Sequence, residues 1–277
     1  MKHIFLNLKR FDIPTDYHGV NGIAPVREWG SYIVSQLQDA LEKYRETDVE
    51  FAVYFPEAHI LSAEQALKKD SMILLGCQSI YRADTEEGKN FGAFTGNRTG
   101  NAMRVLGCKS VLIGHCEERA DKAGILEEAG CRDQEAVNRI LNQEILAAQK
   151  AGLRVAYCVG EKAEEQSRWK ETLQEQLEIG LAGAERDSIT IAYEPLWAIG
   201  PGKTPPDAAY MQKVARYIKE VTGGMDVVYG GGLKKQNAKE VASVKELDGG
   251  LIALTRFQGK IGFYPEEYLE IVEEYLS

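Results

Sequence analysis

The sequence predicts a single α/β domain in which eight parallel strands close into a (β/α)8 barrel. Short apolar runs alternate with helical segments along the chain, eight of these runs qualify as strands, and no Pro- or Ser-rich linker divides the 277 residues. Repetition of strand, helix and strand gives right-handed crossovers and a parallel sheet. One such barrel usually takes about 250 residues. A doubly wound open sheet is the alternative, but the first strand lacks the Gly-rich turn of its common form.

The predicted strands are short and almost continuously apolar, as expected when helices cover a parallel sheet. In chain order they are His3–Leu8, Val49–Phe55, Met72–Cys77, Ser110–Ile113, Arg154–Val159, Ile189–Tyr193, Asp226–Tyr229 and Gly250–Ala253.

Three intervening segments show the helical period most clearly. Apolar residues recur three or four positions apart within 137–148, 214–221 and 268–275, which predicts helices with one buried face. Trp29 and Trp169 lie near such stripes and are predicted to be packing residues.

Composition and charge exclude several kinds of protein. The 33 Lys and Arg against 42 Asp and Glu give a net charge of −9 without a dense basic stripe, which disfavours nucleic-acid binding. No apolar run approaches the roughly 18 residues of a membrane span, and Ile4–Leu6 is too short for a signal-peptide core. We therefore expect a cytoplasmic protein that does not bind membranes. The five cysteines form no CxxC pair, which disfavours a disulfide framework or a structural zinc site.

Reactive side chains follow several predicted strands, at the end of a barrel where active sites lie. Asn7 and Lys9 follow the first strand two residues apart, so one ligand could contact both. His115 follows the fourth strand directly after a glycine, where an imidazole can polarise a carbonyl or transfer a proton. Taken singly, a solvated lysine and a structural histidine are the simpler interpretations.

The loops after the sixth and seventh strands look adapted to a buried anion. Glu194 precedes an apolar segment with Trp197, and 200–204 then reads Gly-Pro-Gly-Lys-Thr, which is typical of a base beneath a hinged lid. The three glycines 230–232 expose backbone N–H groups, so a phosphate cradle is predicted in preference to a flexible turn.

The other candidate side chains have a weaker context. His3, His18 and His59 are predicted to be surface or packing residues. Cys116 adjoins His115, but neighbours on an extended chain point to opposite faces, which argues against Cys116 as a nucleophile activated by that base.

Two motifs resemble those of one enzyme family. Residues 112–117, Leu-Ile-Gly-His-Cys-Glu, are similar to L-I-G-H-S-E, and residues 193–204 are similar to Y-E-P-V-W-A-I-G-T-G-K-T of triosephosphate isomerases. Weaker matches are Asn7-x-Lys9, Gly92–Gly96 (G-A-F-T-G), Cys158–Glu161 (C-V-G-E) and Tyr229–Gly231. In this order, they identify the chain as a member of the triosephosphate isomerase family, whose fold is the TIM barrel.

The resemblance implies an aldose–ketose isomerase that interconverts dihydroxyacetone phosphate and D-glyceraldehyde 3-phosphate through an enediolate, without a metal or organic cofactor. It implies that Glu194 is the base and that a neutral His115 polarises the carbonyl. Lys9 supplies positive charge, Asn7 orients the oxygens, and Glu117 hydrogen-bonds within the cluster.

The phosphate-binding loops match the family less well. The resemblance implies phosphate binding by the N–H groups of Gly200 and Gly232, with Gly231 beside them. The family's V-G-G-A-S after the eighth strand is replaced here by residues 252–256, so Leu254 is expected to crowd a phosphate and Arg256 to reach an anion differently. Gly232 replaces a family serine, and Pro201 replaces a lid threonine, which removes an N–H donor.

A homodimer with an altered interface is also expected. The family's Glu after F-T-G and Arg after H-S-E, which meet near the subunit boundary, are replaced by Asn97 and Glu118. Insertions at about 12–29 and about 81–91 follow the first and third strands, in loops that form the family's interface.

Two other functions stay open. The altered phosphate loop and the insertions favour an isomerase of a related sugar phosphate, such as a tetrulose phosphate. A non-catalytic sugar-phosphate-binding protein is the third hypothesis, disfavoured because Asn7, Lys9, His115 and Glu194 are all retained.

Overall fold

Eight parallel strands close into a barrel in the computed structural model, which describes residues 1–131, 133–200 and 202–277. Strand order follows chain order, and pairing of the last strand with the first closes the sheet. The strands are β1 (Lys2–Asn7), β2 (Val49–Phe55), β3 (Ile73–Cys77), β4 (Ser110–Ile113), β5 (Arg154–Val159), β6 (Ile189–Tyr193), β7 (Val227–Tyr229) and β8 (Gly249–Ile252). The predicted fold class is confirmed, and each predicted strand is correct to within one residue at either end.

Helices surround the barrel and cover its outer face. Among the described residues they are α1 (Trp29–Leu41), α2 (Glu57–Ala66), α3 (Gly100–Val105), α4 (Cys116–Glu128), α5 (Gln134–Lys150), α6 (Trp169–Gly180), α7 (Ala208–Thr222), α8 (Ala238–Ala242) and α9 (Pro265–Leu276). The three predicted apolar stripes lie on α5, α7 and α9, and Trp29 and Trp169 are buried as predicted. No helix of the described chain is long and apolar enough to cross a membrane.

Alternate strand residues fill the inside of the barrel, while their neighbours pack beneath the helices. Phe5, Tyr54, Leu112 and Leu251 form the inner cluster together with small residues, so the barrel is a solid core rather than a pore. Tyr54 places its hydroxyl 3.0 Å from that of Ser110, which satisfies a polar group in this interior.

The long connection after β1 is held against the barrel by internal hydrogen bonds. Asn21 donates from Nδ2 to the carbonyl oxygens of Asp12 (3.1 Å) and Ala24 (2.9 Å). The buried Asp12 carboxylate also binds Arg10 and lies 3.1 Å from Nε2 of His59 on α2. This connection, and the one between β3 and α3, leave the same end of the barrel as the reactive side chains.

Candidate active site

The residues predicted to carry chemistry converge at the carboxyl ends of the strands. Glu194 follows β6 directly, and His115 lies between β4 and α4. His115 Nε2 is 3.1 Å from Glu194 Oε1, and the Cys116 backbone N–H donates to Glu194 Oε2 at 3.1 Å. A carboxylate from one strand therefore meets an imidazole and a helix N-terminus from another.

Two glycines allow Glu194 to occupy this buried position. A Cβ atom at Gly160, just after β5, would lie 1.8 Å from the Glu194 carbonyl oxygen, so no larger residue fits there. A Cβ atom at Gly230, after β7, would come within 3.1 Å of Glu194 Cγ. The side chain of Glu194 is 3% exposed, which removes most of the water that would otherwise solvate its charge.

His115 caps helix α4, and two parts of Glu117 compete for its second nitrogen. The Glu117 backbone N–H points at Nδ1 from 3.3 Å, which favours a nitrogen without a proton. The Glu117 carboxylate lies 3.7 Å from the same nitrogen and favours an N–H there. A change of charge nearby can therefore decide the protonation state of His115.

The Glu194 carboxylate decides it in this arrangement. Burial is the largest single influence and disfavours the imidazolium, but the negative charge of Glu194 together with hydrogen bonds to Cys116 and Glu194 raises the pKa of His115 to about 10. Burial would raise the pKa of Glu194, yet His115 and Lys9 together lower it, so the carboxylate is ionised. This raised pKa belongs to His115 paired with Glu194, so the neutral His115 that polarises a substrate carbonyl stays a prediction.

Lys9 brings a second positive charge to the site. Its Nζ donates to Glu117 Oε1 at 2.8 Å, and although burial opposes the charge, that hydrogen bond raises the pKa of Lys9. Its backbone is left-handed, with φ of 41°, which is uncommon outside glycine and typical of strained functional positions. The Asn7 side chain accepts the Lys9 N–H at 3.0 Å and so fixes this turn. Glu117 thus hydrogen-bonds within the cluster.

Gln78 supports the same turn, although it was not among the site residues predicted from the sequence. It follows β3, and its Nε2 donates to the carbonyl oxygens of Lys9 (2.9 Å) and Tyr54 (3.1 Å) and lies 3.4 Å from Asn7 Oδ1. A polar residue directly after an apolar strand is the signal that identified His115 and Glu194, and it applies equally to Gln78.

Cys116 lies closer to the site than predicted. Its Sγ is 3.6 Å from His115 Nδ1 and 4.0 Å from Nε2. The argument that adjacent residues point to opposite faces fails here because α4 begins at Cys116, so the chain is no longer extended. The donor atoms of His115, Cys116 and Glu194 all lie within 4.8 Å of one another, a set that a metal ion can use.

Glu161 anchors the beginning of the predicted lid. This completely buried carboxylate accepts hydrogen bonds at Oε1 from Trp197 Nε1 (2.7 Å), Tyr193 Oη (2.9 Å) and Tyr210 Oη (3.3 Å). Burial raises the pKa of Glu161 in spite of these donors. The indole of the lid is thereby tied to strand β6 and helix α7.

The predicted phosphate-binding residues differ in how well the structure places them. Gly200 and Gly232 have φ values of 115° and 87°, conformations that favour glycine. The carbonyl oxygen of Gly231 accepts a hydrogen bond from the Tyr229 hydroxyl at 2.8 Å, which fixes the turn after β7. Pro201 lies outside the described residues.

Arg256 is engaged within the loop between β8 and α9. Its guanidinium contacts Glu267 Oε1 at 2.6 and 2.7 Å and stacks on the Tyr264 ring, 3.6 Å from the centroid. The structure therefore does not place Arg256 with the catalytic cluster. A carboxylate already neutralises the charge that was expected to reach an anion.

Glu118, which stands where the family has an arginine, turns back toward the catalytic loop. Its Oε2 accepts the Gly114 N–H at 2.6 Å, and its Oε1 is 2.9 Å from Lys122 Nζ. Arg119 donates from Nε to the Gly114 carbonyl at 2.8 Å. Side chains of α4 thus bind both the N–H and the carbonyl group of Gly114, the residue before His115.

Known proteins resemble the chain along almost its whole length. A family model described as triosephosphate isomerase matches residues 28–274. The triosephosphate isomerase of Carboxydothermus hydrogenoformans is 34% identical over 234 residues, which are 79% of this chain and 84% of that protein. That of Hahella chejuensis is 33% identical over 235 residues, 81% of this chain and 85% of the relative.

One solved structure repeats the fold. A triosephosphate isomerase from Bartonella henselae superposes with a TM-score of 0.73, and the superposition covers 100% of this chain and 99% of the Bartonella chain. At 24% identity, this similarity shows only that the two proteins share the barrel fold.

Proposed function

The chain belongs to the triosephosphate isomerase family, and from this premise we propose that it interconverts dihydroxyacetone phosphate and D-glyceraldehyde 3-phosphate. The observation that carries the proposal is the buried, ionised Glu194 beside His115 and Lys9 at the mouth of the barrel. Proton transfer between adjacent carbons needs a base of this kind together with a group that stabilises the oxyanion.

The reaction requires only a shift of protons. Glu194 takes a proton from the carbon next to the substrate carbonyl, and the electron pair of that C–H bond forms the enediolate double bond. His115 Nε2 donates a hydrogen bond to the carbonyl oxygen, and the Lys9 ammonium stabilises the negative charge that develops. Glu194 then returns the proton to the neighbouring carbon, while His115 gives its Nε2 proton to the former carbonyl oxygen and takes up the proton of the hydroxyl that becomes the new carbonyl. Asn7, fixed against the Lys9 backbone, orients the oxygens.

His115 and Glu194 must separate before either acts on substrate. In this structure Nε2 faces Glu194, so the atom that is to polarise a carbonyl is already occupied. A substrate oxygen that takes Nε2 frees the carboxylate to reach the carbon. Removal of that charge also returns His115 toward the neutral form, since the Glu117 N–H at Nδ1 then prevails.

The phosphate is assigned to backbone N–H groups rather than to side-chain cations. Gly200 on the lid and Gly231 and Gly232 after β7 can turn such groups toward a dianion. Arg256 is left out because Glu267 neutralises it. Leu254, in place of a family glycine, narrows the space on the β8 side.

We further propose a homodimer in the cytoplasm. The connection between β3 and α3, which corresponds to an interface loop of the family, carries the strongly exposed Phe91. A cytoplasmic location follows from the proposed substrate, because the charge of a phosphorylated triose hinders its passage across membranes.

Turnover of glyceraldehyde 3-phosphate by the purified protein tests the proposal. Formation of dihydroxyacetone phosphate is coupled to a dehydrogenase that consumes NADH, and tetrose and tetrulose phosphates are assayed in parallel. We expect efficient triose turnover. Negligible triose turnover beside rapid tetrose turnover would replace this substrate with a longer one, and binding without any turnover would indicate a non-catalytic protein.

A further inference from the structure

Three metal-binding side chains of different chemistry meet at the catalytic centre. We propose that His115, Cys116 and Glu194 form an inhibitory site for a thiophilic divalent cation, with Zn²⁺ as the best fit. The inhibitory part rests on the proposed isomerase function, whereas cation binding can be measured without it.

The His115 and Glu194 donor atoms are spaced as two corners of a tetrahedral site, and the Cys116 thiol lies next to them. Zinc bonds of about 2.0 Å to nitrogen or oxygen and about 2.3 Å to sulfur place neighbouring ligand atoms roughly 3.3–3.6 Å apart. The observed separations are 3.1 Å between His115 Nε2 and Glu194 Oε1, and 4.0 Å between Nε2 and Cys116 Sγ. His115 and Glu194 therefore already form one edge of such a site, whereas Cys116 Sγ, 3.6 Å from Nδ1, lies beside the ring and must turn toward Nε2 to become the third ligand, with the fourth position open to water.

Cys116 gives the site its preference for a soft metal. The family motif has serine here, and a hydroxyl is a poor ligand for zinc, whereas a thiolate is among the best. Cys116 is the first residue of α4 and is only half-buried, so a cation can reach it. A harder ion such as Mg²⁺ is expected to bind poorly to this set.

Glu117 completes the surroundings that such a cation needs. When Nε2 binds the metal, the imidazole proton resides on Nδ1, and the Glu117 carboxylate 3.7 Å away can accept it. Lys9 is the opposing cation nearby, but the same carboxylate pairs with its Nζ at 2.8 Å. A dication at Nε2 displaces the His115 proton, and two anionic ligands and this neutralised lysine then face it.

The cation and the substrate exclude each other. The metal occupies the carboxylate that removes the proton and the nitrogen that polarises the carbonyl. Dihydroxyacetone phosphate is therefore expected to raise the apparent Kd for the metal in proportion to its concentration, and Zn²⁺ to inhibit competitively.

Cobalt titration followed by absorption provides a direct test on the full-length protein. We expect Co²⁺ to produce a thiolate-to-metal charge-transfer band in the near ultraviolet and the intense visible bands of a tetrahedral ion, both abolished by stoichiometric Zn²⁺. Cys116→Ser is expected to lose the charge-transfer band. Loss of a residue that only holds a metal ligand weakens binding by roughly 10- to 100-fold, so loss of the ligand itself is expected to weaken Zn²⁺ binding by at least that factor. Glu194→Gln is expected to weaken Zn²⁺ binding as well. Addition of Mg²⁺ is expected to leave the absorption spectra of all these proteins unchanged.

Cys131→Ser is the matched control. Cys131 is a second half-buried thiol, three residues beyond the end of α4, and its replacement is expected to leave the spectrum and the affinity unchanged. A wild-type protein without the charge-transfer band, or a Cys116→Ser variant with unchanged Zn²⁺ affinity and normal circular dichroism, overturns the site. If these bands appear in a protein that turns over no triose phosphate, the metal site stands and the proposed function fails.

Discussion

Glu194 controls the protonation state of His115 because its charge is the largest of the influences that favour a proton on that imidazole. Burial and the Glu117 N–H both oppose a proton on His115, and the carboxylate at 3.1 Å overrides them. One residue therefore decides whether the other is a cation or a neutral donor. This coupling lets the electrophile become neutral when the base moves to the substrate.

Replacing Glu194 by Gln is expected to lower the pKa of His115 from about 10 toward its ordinary 6.5. The amide keeps the shape but removes the charge, so fewer interactions oppose burial, which favours the neutral ring. Titration of the imidazole carbon signals by NMR measures the change. The wild-type protein, titrated under the same conditions, is the control. A His115 that titrates identically with and without the carboxylate contradicts this account.

Glu194→Asp is expected to lower kcat by about 100-fold or more and to change KM by less than about threefold, since the shorter side chain withdraws the carboxylate by about an ångström. Steady-state isomerase kinetics measure both constants. The same substitution at Glu178, an exposed carboxylate of α6, should leave them unchanged. An unaltered kcat in Glu194→Asp would remove Glu194 from the role of base.

At the scale of elements, α4 and α5 share a buried charge cluster behind the catalytic loop. Lys122 on α4 contacts Glu118 Oε1 at 2.9 Å and Glu144 Oε1 of α5 at 3.0 Å. Glu144 is almost fully buried, and burial followed by the charge of Glu118 raises its pKa to about 8. Because Glu118 also binds the Gly114 N–H, the packing of these helices is linked to the position of His115.

Glu144→Gln is expected to gain stability relative to the wild type as the pH rises. The folded-state pKa of Glu144, about 8, lies above the ordinary 4.5, so its favourable contribution is complete below about pH 4.5 and is lost as the pH rises through 8. An amide never ionises and avoids that loss. Urea unfolding of both proteins at pH 5, 7 and 9 measures the difference in unfolding free energy, which should shift in favour of the variant.

Glu135→Gln on the same helix is the control, since this carboxylate is exposed and pairs with Arg139 at the surface. Its effect on the unfolding free energy is expected to stay within about 0.5 kcal/mol of the wild type. A stability difference for Glu144→Gln that does not vary with pH would show that Glu144 is ionised throughout.

The elements were more predictable from the sequence than the contacts between their side chains. Strand bounds follow from local apolar runs, and Glu194 and His115 follow from their places at strand ends. The pairing of Arg256 with Glu267 depends on how the loop after β8 folds back on α9, which no local pattern encodes. The prediction that Cys116 points away from His115 was wrong because α4 begins at Cys116, so the chain is not extended there.

At the scale of the whole molecule, the two most exposed large apolar side chains of the described residues lie in one sector of the chain. Phe91 and Val105 are 90% and 86% exposed, and both lie between β3 and β4. Phe94 of the same connection is partly covered by the Tyr81 ring, 5.9 Å between centroids. In the proposed dimer these exposed apolar side chains are the ones that we expect to contact the second copy.

Phe91→Glu is expected to convert a dimer into a monomer of 30.8 kDa, because a charge at the most exposed aromatic of this sector cannot be buried against a second copy without a large desolvation cost. Sedimentation velocity at micromolar concentration measures the mass directly. Ile261→Glu is the matched control, since Ile261 lies in the loop between β8 and α9, far from β3 in strand order, and its replacement should leave the dimer intact. A dimer that survives Phe91→Glu would move the interface away from this connection, and a wild-type protein that sediments as a monomer would show that the altered loops have abolished the family's association.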